Sequence, residues 1–418
     1  MDTDELLEAL DSKLGHLDQA SEIEPERIHP VTIMTRERRQ LADLEKDLQE
    51  VLDTIKYNER IPPLLTRLAD IHLREANYSR AIILYEMTLG LDSDQVGAWI
   101  SMGLAYYMVG DPKDAISCFG SALAIEPENT IALVYLAMAQ LKKGELDDCN
   151  KNLDAALHIN VNTPRALLGK GMYFRAKGEL ELAITWLKRA IHADSVFLPA
   201  LIELGSIYQI LKQYDNAIDV LTKALSIDNE QPYALATMGD IYFEKNDLET
   251  AIYYYDKAVS IKFDDPELWI KKGDVHRSRK SYQQASHAYQ KAINANPEHV
   301  ESWVRNGSVM LLMNDENTAL EYLNTALALA PNNAEVAHQR GLIYYSLERY
   351  DEALSDFDTA FSVDPGNPMH LYYRALMLEL LDRNLEAKRT WVVAQRIFEE
   401  IGDASKAAEC KARIKRIS

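Results

Sequence analysis

Residues 96–129 read VGAWISMGLAYYMVGDPKDAISCFGSALAIEPEN, and the fold can be predicted from this stretch of 34 residues. Its first half places apolar and small side chains three and four residues apart, which is the spacing of one face of an α-helix. A polar turn at 110–112 interrupts the pattern, and the second half then resumes the same spacing. The stretch therefore predicts two helices joined by a short turn. The residues that carry the pattern are Trp99, Met102, Gly103, Tyr106, Ala115, Phe119, Ala122 and Pro127.

The same pattern recurs along most of the chain. Ten frames of 34 residues run from Pro62 to Ile401 without an insertion or a deletion. Position 20 of the frame is Ala in nine repeats and Cys149 in the third, and position 8 is always Gly or Ala. Columns this uniform indicate one supersecondary unit stacked ten times. The predicted repeats are 62–95, 96–129, 130–163, 164–197, 198–231, 232–265, 266–299, 300–333, 334–367 and 368–401.

Three positions of the frame predict how the two helices of a repeat pack. Because positions 4, 7, 8 and 11 share one face of the first helix, a small residue at position 8 predicts a close approach of the second helix. Position 24, on the second helix, always holds a large apolar or aromatic residue. Its side chain is predicted to fill the space that the small residues at positions 8 and 20 leave.

These columns resemble the tetratricopeptide repeat (TPR) family, whose pattern has Trp, Leu-Gly, Tyr, Ala, Phe, Ala and Pro at the same offsets. Over residues 62–401 the chain resembles stand-alone TPR proteins of the prokaryotic type. The resemblance implies an all-α fold, a right-handed α-solenoid superhelix of antiparallel helix pairs. It also implies that the first helices line a concave groove, which binds a peptide or a helix of another protein.

The residues on either side of the repeats predict further helices. Residues 1–61 are interpreted as an N-terminal helical extension with a linker, with helices expected over 3–17 and 35–57. The longer helix has heptad-like apolar spacing, so it either packs on repeat 1 or forms a short coiled coil that makes a homo-oligomer. Residues 402–418 predict a C-terminal basic capping helix, with a small basic contact site as the alternative.

Composition and charge argue against several classes of partner and compartment. The formal net charge is −20, and an acidic surface repels phosphate backbones, so nucleic acid is not an expected partner. No run of about eighteen apolar residues occurs, so no membrane span is predicted. Cys118, Cys149 and Cys410 lie far apart without a CxxC motif, which argues against disulfides and fits a reducing compartment. Since the N-terminus lacks the pattern of a secretory signal, the expected localisation is cytoplasmic.

The sequence contains no convincing set of catalytic residues. Residues 169–171, Gly-Lys-Gly, match part of a phosphate loop, but they lack its four-residue spacer and the Ser or Thr that follows the lysine. They also fall inside a predicted helix. No pair of histidines has the HxxxH spacing of metal ligands. The chain is therefore predicted not to be an enzyme and to use no cofactor and no metal.

The resemblance assigns the groove-facing side chains to positions 2, 5, 6, 9, 12 and 13 of each first helix. A contiguous exposed apolar surface usually marks a binding site. In repeats 2–4 the predicted groove residues are Ile100, Leu104, Tyr107, Met108, Val134, Tyr135, Met138, Leu141, Leu168 and Met172. In repeats 6–8 they form a mixed-charge set that includes Lys271, Asp274, Arg277 and Arg305. Occlusion by the chain's own N-terminal helix and ordinary packing between repeats are the two alternatives.

A protein–protein interaction scaffold or adaptor is the function that these observations favour. In this interpretation the concave groove captures a peptide or a helix of a partner protein. The alternative is a non-catalytic assembly subunit of a larger enzyme or membrane complex, docked through its terminal helices. An enzyme whose active site consists of groove residues has the least support.

Overall fold

The computed structural model describes residues 61–417, and every regular element in that range is an α-helix. The first helices of the repeats are α1 (Ile61–Arg74), α3 (Val96–Val109), α5 (Thr130–Lys143), α7 (Pro164–Ala176), α9 (Leu198–Ile210), α11 (Pro232–Glu244), α13 (Pro266–Ser278), α15 (Val300–Leu312), α17 (Ala334–Ser346) and α19 (Pro368–Leu380). The second helices are α2 (Tyr78–Leu91), α4 (Pro112–Ile125), α6 (Leu146–Ile159), α8 (Leu180–Ala193), α10 (Tyr214–Ile227), α12 (Leu248–Ile261), α14 (Tyr282–Ala295), α16 (Glu316–Leu329), α18 (Tyr350–Val363) and α20 (Asn384–Glu400), and α21 (Ala404–Arg416) follows them. The helices expected over 3–17 and 35–57 lie outside the described residues.

Most helices pack against their neighbours along the chain. In repeats 1–4 and 6–10 the first helix contacts the second helix of the same repeat, and from α3 to α19 each first helix begins 34 residues after the previous one. The predicted all-α solenoid of helix pairs is therefore confirmed. Two compact units divide the chain, the first ending at Glu203 and the second beginning at Leu204.

The small residue at position 8 lies directly against the large residue at position 24 of the same repeat. A Cβ atom added at Gly103 would lie 2.7 Å from Cε1 of Phe119, the residue at position 24 of the same repeat. Gly239 meets the ring of Tyr255 in the same way, at 2.9 Å. Both aromatic rings are buried. The predicted contact between positions 8 and 24 is confirmed, because no side chain other than hydrogen fits at these glycines without a shift of the neighbouring ring.

The turn between the two helices of a repeat needs a residue in the left-handed region at position 15. Gly110 fills this position in repeat 2 with a φ of 96°. Asn246 and Asn314 fill it in repeats 6 and 8, with φ values of 61° and 60°. Glycine adopts this conformation without a steric penalty and asparagine tolerates it better than most residues. Repeats with and without glycine can therefore make the same turn.

Tryptophans at position 4 attach first helices to the turns that precede them. Nε1 of Trp99 donates a hydrogen bond of 2.9 Å to the carbonyl oxygen of Ser93. Nε1 of Trp303 donates in the same way to the carbonyl oxygen of Pro297, over 2.8 Å. Since the indole has one donor on an otherwise apolar ring, it fixes the turn while its ring stays packed.

Polar residues at position 7 are the main departure from the predicted core face, because the TPR pattern has leucine there. Lys170 is only 4% exposed, and its Nζ lies 2.5 Å from Oδ1 of Asn150 and 2.6 Å from Asp154. Arg340 donates two hydrogen bonds of 2.8 and 2.6 Å to the buried carboxylate of Asp356. Each cation has its acceptors on second helices, which offsets the cost of burying a charge.

The C-terminal helix α21 packs against α20. Ala407 and Cys410 are the buried residues of α21, and the hydroxyl of Tyr372 donates a hydrogen bond of 2.5 Å to Glu409. The last turn of the helix is basic, a distribution that the helix dipole favours. Its role as a cap stays a prediction.

Candidate functional site

The first helices of repeats 2–4, namely α3, α5 and α7, carry apolar side chains that other helices cover only in part. We call these side chains the apolar surface. Met108, near the end of α3, is 57% exposed. The half-buried members among the predicted residues are Ile100, Leu104, Tyr107, Tyr135, Met138, Leu141 and Met172. These eight side chains are at least partly exposed. That they line a groove and bind a partner stays a prediction.

Two predicted residues do not belong to the apolar surface. Val134 is 2% exposed and Leu168 is 6% exposed, so neither offers contact area to a partner. Helical spacing alone does not explain their burial, because Ile100 stands at the same position 5 of its repeat and is half-buried. Val134 and Leu168 are covered by side chains of neighbouring helices.

Two exposed apolar residues extend the apolar surface beyond the predicted set. Ile131 at the start of α5 is 58% exposed, and Val109 at the end of α3 is 56% exposed. Ile131 occupies position 2, which is a groove position, so the sequence contained the signal for it. Val109 occupies position 14, at the edge of the turn, where the groove pattern makes no prediction.

Two cations lie over the tyrosine rings of the apolar surface. Nζ of Lys142 is 5.0 Å from the ring centroid of Tyr107, and the guanidinium carbon of Arg165 is 4.9 Å from that of Tyr135. The Tyr135 ring is also stacked on the buried ring of Phe119, with 5.9 Å between centroids. Burial raises the pKa of Tyr107, so its hydroxyl stays protonated near neutral pH. The apolar surface thus has a positively charged edge.

The predicted charged residues of repeats 6–8 come together, and their charges are paired with one another. Nζ of Lys271 lies 2.6 Å from Oδ2 of Asp240. Arg277 and Arg305 each place one guanidinium nitrogen 3.4 Å from Oδ1 of Asp274. We call these five residues the charged surface. Because cations and carboxylates alternate along it, the charged surface is close to neutral.

Tyrosines of the second helices hold the two carboxylates of the charged surface, a feature that the sequence interpretation missed. The hydroxyl of Tyr255 donates to Oδ1 of Asp240 over 2.5 Å, and the hydroxyl of Tyr289 donates to Oδ1 of Asp274 over 2.6 Å. Both tyrosines stand at position 24 and both aspartates at position 9. Repeats 1, 6 and 7 have Tyr at position 24, and these are the repeats that have Asp at position 9. This association of Tyr at position 24 with Asp at position 9 is visible in the sequence and could have predicted the hydrogen bond.

The remaining sequence candidates have structural explanations. Lys170, in the Gly-Lys-Gly stretch, lies within α7 and is engaged by Asn150 and Asp154. Over the described range of 61–417, no three His, Cys, Asp or Glu side chains are grouped so that they could hold a metal ion. Each helix of that same range is too short or too polar to cross a bilayer.

The sequence matches several models of one protein family. Models described as "Tetratricopeptide repeat" match residues 106–172, 198–231, 334–367 and, in two parts, 150–196 and 270–334. A model described as "TPR repeat" matches residues 239–276. The chain belongs to the tetratricopeptide repeat family. TPR proteins of this kind serve generally as scaffolds for protein interactions, and the helix pairs described above are TPR units.

Several solved structures are similar to this TPR chain at low sequence identity. The APC/C hetero-tetramer Cut9–Hcn1 is 16% identical, with 82% of each chain covered and a TM-score of 0.49. Yeast Tom70 is 15% identical, covering 86% of this chain and 92% of its own, with a TM-score of 0.43. A tetratricopeptide repeat protein from Parabacteroides merdae is 17% identical, covering 59% and 98%, with a TM-score of 0.45. A search of curated proteins gave no significant match.

Proposed function

We propose that this TPR protein is a non-catalytic scaffold whose apolar surface binds a segment of another protein. The observation that carries the proposal is the set of accessible apolar side chains on three consecutive first helices, α3, α5 and α7. Apolar area of this kind is costly to leave in water, and burying it gives about 25 cal/mol for each Å².

The residue types of the apolar surface suit a protein ligand. Met108, Met138 and Met172 have flexible, polarisable side chains that adapt to the shape of a partner. Tyr107 and Tyr135 offer large rings with a polar end, a combination that is enriched in the central contacts of protein interfaces. The charged surface of repeats 6–8 fits this role less well, since its ion pairs would have to break or reorganise to admit a partner.

The proposal is tested by placing charges on the apolar surface without disturbing the core. Met108→Asp and Met138→Asp are the suitable changes. Tyr135 is left unchanged, because its ring is stacked on the buried ring of Phe119 and its replacement would also affect folding. Affinity capture with mass spectrometry first identifies the protein that the unmodified chain retains. We expect the double variant to retain it at least about tenfold less, since two charged carboxylates would replace apolar contact area in the complex.

The matched control is Leu182→Asp in repeat 4. Leu182 is 45% exposed but lies on the second helix α8, away from the groove positions. This control should retain the partner as the unmodified chain does, and circular dichroism should give the same helicity for all three proteins. Undiminished capture by the Met108 and Met138 double variant would refute the assignment of the binding surface.

A further inference from the structure

The first helices of repeats 2–4 have an unusual charge composition for this chain. Helices α3, α5 and α7 contain no Asp and no Glu, although the chain as a whole has a net charge of −20. Their charged residues are all cations, namely Lys142, Lys143, Arg165, Lys170 and Arg175. The acidic residues of these repeats lie on the second helices and in the turns. The accessible face of this stretch is therefore apolar and positive.

Three of these five cations have their charge balanced inside the chain. Lys143, Lys170 and Arg175 each lie 2.6 to 2.7 Å from a carboxylate. Lys142 and Arg165 form no ion pair with any residue between 61 and 417, and they are the two that lie over Tyr107 and Tyr135. Both side chains are exposed. The two cations without a carboxylate partner thus stand at the edge of the apolar surface.

The charged surface provides the comparison. There, Lys271 is paired with Asp240, and Arg305 is paired with Asp274 and with Glu301. Each cation of the charged surface is therefore balanced by a carboxylate of the chain itself. A carboxylate for Lys142 and Arg165 can come from a bound ligand, and it would be attracted most strongly where neighbouring apolar groups exclude water.

We propose that the segment bound by the apolar surface is an acidic amphipathic one, with Leu-type side chains on one side and Asp or Glu along its edge. The apolar side chains would contact Met108, Met138 and their neighbours, and the carboxylates would pair with Lys142 and Arg165. This inference rests on the proposed function, because it names the class of ligand for the same surface.

The net charge of the chain does not oppose this ligand at close range. Interactions between exposed charges are largely screened beyond about 8 Å at physiological ionic strength. A carboxylate in contact with Lys142 therefore responds mainly to the local cations. At low ionic strength the distant acidic residues contribute more, so the preference for acid should be clearest near physiological salt.

The test uses the full chain and three fluorescent peptides of about 18 residues, which form five helical turns. All are acetylated and amidated, so that no terminal charge contributes. The first has leucines at alternating three- and four-residue spacing with Glu elsewhere, the second replaces every Glu by Lys, and the third replaces every Leu of the first by Ser. We expect fluorescence anisotropy to give the acidic leucine peptide about tenfold tighter binding than either of the others, which corresponds to about 1.4 kcal/mol.

Charge reversal at the two cations sharpens the test. Lys142→Glu together with Arg165→Glu should remove or invert the preference for the acidic peptide. The control, Lys113→Glu with Lys151→Glu, changes the net charge equally but alters exposed lysines of the second helices α4 and α6, so it should keep the preference.

Equal or tighter binding of the basic peptide, binding that does not need the leucines, or no binding of any peptide would overturn the inference. None of these results bears on capture of the natural partner by the Met108 and Met138 variants. Failure of the inference and failure of the proposed function are therefore distinguishable.

Discussion

The hydroxyl of Tyr289 on α14 donates a hydrogen bond of 2.6 Å to Oδ1 of Asp274 on α13, which links a fully buried ring to a carboxylate of the charged surface. The same oxygen faces the guanidinium groups of Arg277 and Arg305. Burial and the bond to Asp274 raise the pKa of Tyr289 far above its ordinary value. The phenol therefore stays a donor and holds the carboxylate in a fixed position for the two arginines.

Replacement of Tyr289 by Phe should destabilise the protein more than the loss of an ordinary side-chain hydrogen bond. Asp274 would keep its charge and lose the phenol donor, at an expected cost of about 1.5–3 kcal/mol. Tyr322→Phe is the control, because its hydroxyl donates to the neutral amide of Gln290 over 2.9 Å and should cost about 0.5–1.5 kcal/mol. Urea denaturation followed by circular dichroism measures both. Equal losses would show that Asp274 does not depend on the phenol.

The pairing of Tyr289 with Asp274 illustrates what the sequence could and could not predict. The contact between positions 8 and 24 follows from the spacing, since both positions face the space between the helices. The bond between positions 9 and 24 does not follow from it, because spacing gives the direction of a side chain and not the reach of its terminal hydroxyl. Comparison of columns across the repeats would have revealed the association of Tyr with Asp.

Two glycines of repeat 2 should respond in opposite directions to alanine. In Gly103→Ala the new methyl group would lie 2.7 Å from the ring of Phe119, and such overpacking costs about 1–3 kcal/mol. Gly120, which lies within α4, has no atom within 4 Å of its added Cβ, so alanine there should stabilise by about 0.5–1 kcal/mol through helix propensity. The melting temperatures of the two variants show whether each alanine stabilises or destabilises the protein. A stabilised Gly103→Ala would contradict the close approach of the two helices.

Arg340 and Asp356 should behave as a coupled buried pair. In Arg340→Met the carboxylate of Asp356, which is 3% exposed, would lose two hydrogen bonds and its counter-ion, at a cost of about 3–5 kcal/mol. Burial already raises the pKa of Asp356, which agrees with a strongly desolvated group. Adding Asp356→Val should recover most of the loss, because apolar residues can replace a buried ion pair at little cost.

A double-mutant cycle in urea measures this coupling. The exposed pair of Arg396 and Glu400, 2.9 Å apart on α20, is the control and should couple by about 1 kcal/mol or less. Additive effects at Arg340 and Asp356 would rule out the coupling.

The candidate site was predictable in outline but not in every residue. Ile100, Val134 and Leu168 all occupy position 5, yet Ile100 is half-buried while the other two are buried. A rule based on repeat position gives the same answer for all three. The difference depends on which side chains of neighbouring helices cover each residue, and a single sequence does not specify that coverage. The positive edge formed by Lys142 and Arg165 could not be predicted from the sequence either, because each of these cations lies over a tyrosine ring of the preceding first helix.

Stability should fall as the pH drops below about 6.5, in part because of His338 and His370. Their Nδ1 atoms lie 3.0 Å apart, so one must donate and the other accept, which requires the accepting ring to be neutral and prevents both rings from being protonated while the bond is kept. Burial lowers the pKa of both rings. The charge of His370 also opposes protonation of His338, while Glu335 favours protonation of both rings and Asp364 favours that of His370. Because the pKa of each histidine is lower in the folded than in the unfolded chain, the unfolded chain binds more protons as pH falls, and stability present above about pH 6.5 is lost.

The difference in melting temperature between about pH 7.5 and about pH 5.5 should therefore be smaller in His338→Gln than in the unmodified protein. The control His158→Gln, at an exposed site on α6, should leave that difference unchanged. An unaltered pH dependence in His338→Gln would mean that the histidine pair does not contribute.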